Sequence, residues 1–109
     1  MSSIPTLQTK QGESFRVELA YCEEDKITPR SLEGYTLSSQ IRDSNDNEVA
    51  NLTVNLIDPY RGRVALSADA GTATWPVGTL YWDIREEVGG VVSLTSTSTI
   101  IVDKAITRL

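Results

Sequence analysis

Apolar side chains recur at every second position along most of this chain, and that period admits strands and little else. Phe15, Val17, Leu19 and Tyr21 alternate with Ser14, Arg16, Glu18 and Ala20. Tyr35, Leu37, Ser39 and Ile41 form a second such row, with Thr36, Ser38, Gln40 and Arg42 on the opposite face. A third row is Ala50, Leu52, Val54 and Leu56; Val64 and Leu66 continue the pattern, and Leu80, Trp82 and Ile84 repeat it. Each row is one face of a strand turned to a core, with the other face in water.

Turn formers punctuate these rows. Asp43-Ser44-Asn45-Asp46-Asn47 predicts a loop of about five residues between two hairpin strands. Asp58-Pro59-Tyr60-Arg61-Gly62 predicts a second turn, and Gly89-Gly90 a tight two-residue one. The stretch from Val91 to Val102 reads as one long strand or two short ones. Residues 67–74 are too short and glycine-interrupted for more than a single helical turn. The expected fold class is therefore all-β: a single antiparallel β-sandwich, immunoglobulin-like or jelly-roll-like, of about six to seven strands with no long helix.

With 109 residues and 12.0 kDa the chain makes one domain. Residues 13–109 are assigned to the sandwich, and the weakly patterned residues 1–12 to an extended N-terminal arm. No segment resembles a signal peptide or a membrane span.

Charge and composition narrow the functional classes. Ten Lys and Arg against fifteen Asp and Glu give a net charge of −5, which argues against nucleic-acid partners and against anionic membrane surfaces. There is no histidine, which removes the commonest general base and metal ligand. The single cysteine, Cys22, cannot form an internal disulfide. The chain is expected to be no enzyme, with no catalytic residues, no cofactor and no metal site.

Particular residues carry both a functional and a structural reading. The Asp43–Glu48 cluster is superficially like a calcium loop, but its sixth position is Glu48 instead of glycine and its twelfth is Val54 instead of glutamate, so a plain hairpin turn is expected. Glu23, Glu24 and Asp25 read as a solvated loop, and Glu86 and Glu87 as a solvated hairpin end. Cys22, between a strand and these acids, reads as structural. Trp82 is in phase with Leu80 and Ile84 and belongs to the core. Trp75, beside Pro76, is either a plug for one end of the sandwich or an interface anchor. Arg61 and Arg63 flank Gly62 and are expected to form ion pairs within or between subunits. The candidate interface is Trp75, Arg61, Arg63, Ile106, Arg108 and Leu109. Finally, the strands near the C-terminus, especially residues 94–99, are rich in Ser and Thr, with few charges or prolines to guard an edge, which points to assembly by edge pairing.

Four blocks of the sequence resemble small structural proteins of tailed bacteriophages and prophages. They are Gly34-Tyr35-Thr36 leading to Gln40-Ile41-Arg42, Asp58-Pro59 followed by Gly62-Arg63-Val64-Ala65-Leu66, Thr74-Trp75-Pro76-Val77-Gly78 running into Tyr81-Trp82-Asp83-Ile84, and Ile101-Val102 with Ile106-Thr107-Arg108. In this order they are similar to the amino-terminal β-sandwich domain of baseplate upper proteins, over about residues 12–109. The resemblance implies a virion structural protein made in the host bacterial cytoplasm. It would be an adaptor on the tail, baseplate or neck, docking other virion proteins through strand edges and terminal arms, in symmetric homo-oligomers or repeated copies. A capsid decoration protein is the second reading. A third, independent of the resemblance, is a soluble carbohydrate- or ligand-binding sandwich with Trp75 as stacking platform and Asp69 and Asn47 as polar partners. Baseplate upper proteins continue into a long carboxy-terminal part, whereas this sequence stops at Leu109, so a free-standing module is expected.

Overall fold

The computed structural model describes residues 4–107, and within them the chain is all-β. Eight strands follow one another: β1 (Leu7–Lys10), β2 (Phe15–Ala20), β3 (Thr36–Arg42), β4 (Glu48–Asp58), β5 (Arg63–Ala68), β6 (Gly78–Val88), β7 (Val91–Leu94) and β8 (Ser98–Asp103). The one helical element among the described residues is a 3₁₀ turn, Pro59–Arg61. The strands lie in the order β1-β8-β6-β3-β4-β5-β2, with β7 also paired to β6. This path folds back on itself into two layers, close to a barrel.

One strand belongs to both layers. The first half of β4 pairs with β3 (Ser39 with Leu52, Ile41 with Ala50), and its second half with β5 (Val54 with Leu66, Leu56 with Val64). The inward row Leu52–Val54 passes from one layer to the other without interruption, and both layers face a single core. That core holds Phe15, Tyr21, Leu32, Ile41, Val64, Leu66, Trp75, Leu80, Trp82, Ile84, Ile100 and Val102. The alternating residues supply most of it. Leu32 and Trp75 come from connections, and burying each contributes roughly 2–3 kcal/mol by area.

The β3–β4 connection is the expected five-residue turn. Asp43 organises it: its carboxylate accepts from the backbone N–H groups of Asn45 and Asn47, both at 2.9 Å. These hydrogen bonds hold the Asp43 carboxyl below the usual carboxylate range, Asn47 contributing most. The side chains that suggested a calcium loop are thus spent on the turn.

The N-terminal segment enters the fold. β1 lies within residues 1–12 and pairs in parallel with β8, Leu7 with Ile100 and Thr9 with Val102. Every other strand pair is antiparallel. The crossing from β1 to β2 is pinned by Thr72, a fully buried residue. Its hydroxyl accepts from the Gly12 N–H (2.9 Å) and donates to the Glu13 carbonyl (2.8 Å), with the Lys10 carbonyl at 3.2 Å. Beside it the Gln11 amide donates to the Trp75 carbonyl at 2.7 Å. Trp75 stacks at a tilt on Phe15, ring centres 5.1 Å apart, and closes this end of the sandwich.

At the other end the chain turns sharply through Gly62. It sits at φ +69°, and a Cβ there would fall 2.4 Å from the Arg30 carbonyl oxygen and 2.8 Å from that of Tyr21. Only glycine permits that backbone crossing. Gly62→Ala is expected to destabilise the chain by roughly 2 kcal/mol or more in urea denaturation, because strain and a backbone clash coincide. Thr72→Val, which keeps shape but removes the hydroxyl, is expected to cost about 1–3 kcal/mol in the same assay. A neutral result for either would contradict the packing described.

Candidate functional site

Three connections gather at the Gly62 end: residues 21–35, the 3₁₀ turn, and the β6–β7 hairpin. Two features distinguish this end, a polar cluster beneath the surface and an apolar strand on it.

The cluster is built on the inward rows. Glu86 follows Leu80, Trp82 and Ile84 at the next inward step, so its carboxyl points between the layers and is only 4% exposed. The Ser93 hydroxyl donates to Glu86 Oε1 at 3.3 Å, while Oε2 has no hydrogen-bond partner among the described residues. The buried Tyr21 hydroxyl is likewise without one. Above them the Arg30 guanidinium lies 5.3 Å from the Tyr35 ring centre and 6.0 Å from that of Tyr21, and donates to the Tyr35 hydroxyl at 2.6 Å. The guanidinium covers two aromatic faces. The Tyr35 hydrogen bond, which acts most strongly, and the Glu86 carboxylate, acting through space, raise the Arg30 pKa.

The strand is β7. The two-residue turn Gly89–Gly90, at φ +57° and +82°, opposes Val88 to Val91. That geometry directs the backbone groups of Val91 and Ser93 toward β6 and those of Val92 and Leu94 away from it. Thr95 ends the strand: its N–H donates to the Ile84 carbonyl (3.0 Å), and its hydroxyl accepts from the Ile84 N–H (2.9 Å). Between Leu94 and Ser98 the register against β6 slips by one residue, so β7 and β8 are separate strands along the same side of β6. Beyond β7 no strand follows among the described residues. All four of its residues are exposed, with Val91 at 67%, Val92 at 47% and Leu94 at 54%.

The residues singled out in the sequence do not converge here. Trp75 is 2% exposed and plugs the opposite end, so it offers no face to a partner or a sugar ring. Asp69, its suggested polar partner, accepts instead from Thr53 and Ser67. Arg63 pairs with Glu18 at 3.1 Å, and Arg61 approaches Asp58 at 3.9 Å, both at the surface. Ile106 is 83% exposed. Arg108 and Leu109 lie outside the described residues. The reading of Glu86 as a solvated hairpin end is corrected: strand parity carries it inward, and that parity with Ile84 was the signal available in the sequence. Arg30 carried no such signal, because its partners Tyr21 and Tyr35 lie at the two ends of an irregular connection with no period to place them.

A scan against protein-family models finds no match, and a search of curated proteins finds none either. Among solved structures the chain is similar to the crystal structure of CopC from Methylosinus trichosporium OB3b. The TM-score is 0.54 at 17% identity, over 94% of this chain and 90% of that one. At such identity the likeness concerns the fold. It runs to CopC and not to a phage baseplate protein, so the resemblance to baseplate upper proteins is overturned, and with it the virion adaptor and capsid decoration roles. The physical reason lies in the four blocks themselves. Each is turn or terminal chemistry next to a strand, which a sandwich of this layout needs whatever it does. The burial of Trp75 removes the carbohydrate platform.

The cluster has a consequence for alkaline stability. Burial, and next to it the Glu86 carboxylate, push the Tyr21 phenol well above its ordinary value of 10.0. The unfolded chain releases this proton near pH 10 while the folded chain keeps it, so the contribution is intact below pH 10 and is lost as pH rises beyond it. Urea titrations between pH 9 and 11.5 are expected to show stability falling more steeply in the native chain than in Tyr21→Phe. Parallel curves would refute the burial of this hydroxyl beside Glu86.

Proposed function

We propose that the chain is a non-catalytic binding domain that takes its protein partner along β7 by strand addition. The observation that carries this reading is the exposure of an entire edge strand bearing Val91, Val92 and Leu94, with outward backbone groups at Val92 and Leu94. An added strand would satisfy those groups, and side chains alternating on it would meet the valines and the leucine. The support beneath β7 suits that role. The Ser93–Glu86 hydrogen bond and the Thr95–Ile84 pair hold the strand in place, so little ordering cost falls on binding.

The non-catalytic part rests on the chemistry available. The chain has no histidine. Among the described residues no group of three or more Cys, Asp or Glu is placed to hold a metal ion. Cys22 is exposed on a bridge to Pro29, at the start of an acidic loop.

A peptide-display selection on the immobilised domain tests the reading. The expected result is a set of extended sequences with alternating aliphatic residues, whose binding drops at least tenfold on Leu94→Lys, which places a charge on the receiving edge. Selected peptides indifferent to Leu94→Lys, or an empty selection, would overturn it.

A further inference from the structure

We infer that the partner of β7 is a second copy of this chain, joined antiparallel through a two-fold axis at Ser93. The inference rests on the strand-addition reading above and adds the identity of the partner.

Three observations favour a copy over another chain. The first is charge. The protein carries −5 overall, so most approaches of one copy to another are repulsive. From Val88 to Val102 there is no charged residue, and β7 lies wholly within that stretch. It is a strip on which two copies meet without like charges on the joining strands.

The second is the contrast between edges. The exposed edge strand β2 carries Arg16 and Glu18, joined to one another and, through Glu18, to Arg63 on β5. A foreign strand there would have to displace that network, a usual guard against edge pairing. β1, at the other end of the strand order, carries Lys10, whose N–H donates to the Glu13 carboxylate, and Gln8, whose amide donates to Asp103. β7 has neither charge nor proline.

The third is register. Only Val92 and Leu94 of β7 direct backbone groups outward. A two-fold axis at Ser93 sets Val92 of one copy opposite Leu94 of the other, and the reverse. Each such pair exchanges two N–H···O=C bonds, so both outward residues are used in both copies. Axes at Val92 or Leu94 would pair one of these residues with itself and leave the other beyond the four-residue strand. The chosen register also puts two valines and two leucines side by side on one face, a favourable cross-strand set. The arrangement is isologous and closed, so it stops at a dimer.

On β6, Arg85 and Glu87 oppose Leu94 and Val92 and pair with each other at 2.9 Å. They rim the apolar face without adding net charge to it.

The test is the mass of the chain in solution, followed by light scattering and sedimentation from micromolar to millimolar concentration. The wild type is expected to rise from 12.0 kDa toward twice that value, and Leu94→Lys to remain monomeric throughout. Circular dichroism on Leu94→Lys checks that it stays folded. A second variant places the axis independently of stability. In a Cys22→Ser background, Ser93→Cys puts two thiols across a non-hydrogen-bonded antiparallel pair, within reach of a disulfide. Mild oxidation is expected to give a covalent dimer from Ser93→Cys and not from Thr53→Cys in the same background. A wild type that stays monomeric at millimolar concentration would overturn the inference. So would a dimer that survives Leu94→Lys or fails to cross-link at Ser93. If display peptides bind β7 while the chain stays monomeric, strand addition stands and the second copy falls. If neither is seen, both fall.

Discussion

The structure depends on a strand that serves two layers. β4 pairs with β3 along its first half and with β5 along its second, so no loop joins the layers at that side and their inward rows share one core. A chain of this size cannot support two separate cores, and the shared strand makes a second one unnecessary. The consequence is geometric. Once Leu52 and Val54 face inward, parity along β3 and β6 sets Ser39, Ile41, Trp82, Ile84 and Glu86 inward as well. A one-residue slip would turn each of these rows to water.

The two ends of the sandwich are closed by different means. At one end Trp75 on Phe15, and Thr72 hydrogen-bonded to the β1–β2 crossing, make an apolar stopper with its polar atoms satisfied. At the other, the inward row runs on to Glu86, and the cover is Tyr21, Arg30 and Tyr35. The Ser93 hydroxyl donates to the Glu86 carboxyl there, and Arg30 lies over the Tyr21 and Tyr35 rings. The same Ser93 bond fastens β7, so the polar end of the core and the exposed edge strand are parts of one arrangement.

The strands, their faces and most turns were legible in the sequence because each depends on neighbours within a few positions. The Asp43 turn, the Gly89–Gly90 hairpin and the inward rows of β2 and β3 are of this kind. The same locality explains why the resemblance to baseplate upper proteins misled. Blocks made of one turn and one strand report on sandwich construction, and CopC shares the fold at 17% identity. The edge without guards was visible as an uncharged Ser- and Thr-rich stretch, but which residues of it stay exposed was not.

The sequence by itself determined that this is an all-β chain, which faces of β2, β3 and β5 turn to the core, and that residues 88–102 carry no charge. These follow from period two and composition, which are properties of adjacent residues. Tertiary structure alone decided that residues 7–10 pair in parallel with β8, that Trp75 is buried, and that Glu86 of β6 comes to lie beside Tyr21 from far along the chain. It also decided that β7 ends as an open edge. Each of these outcomes rests on contacts between segments distant in sequence, whose pairing is chosen by the closure of the whole core.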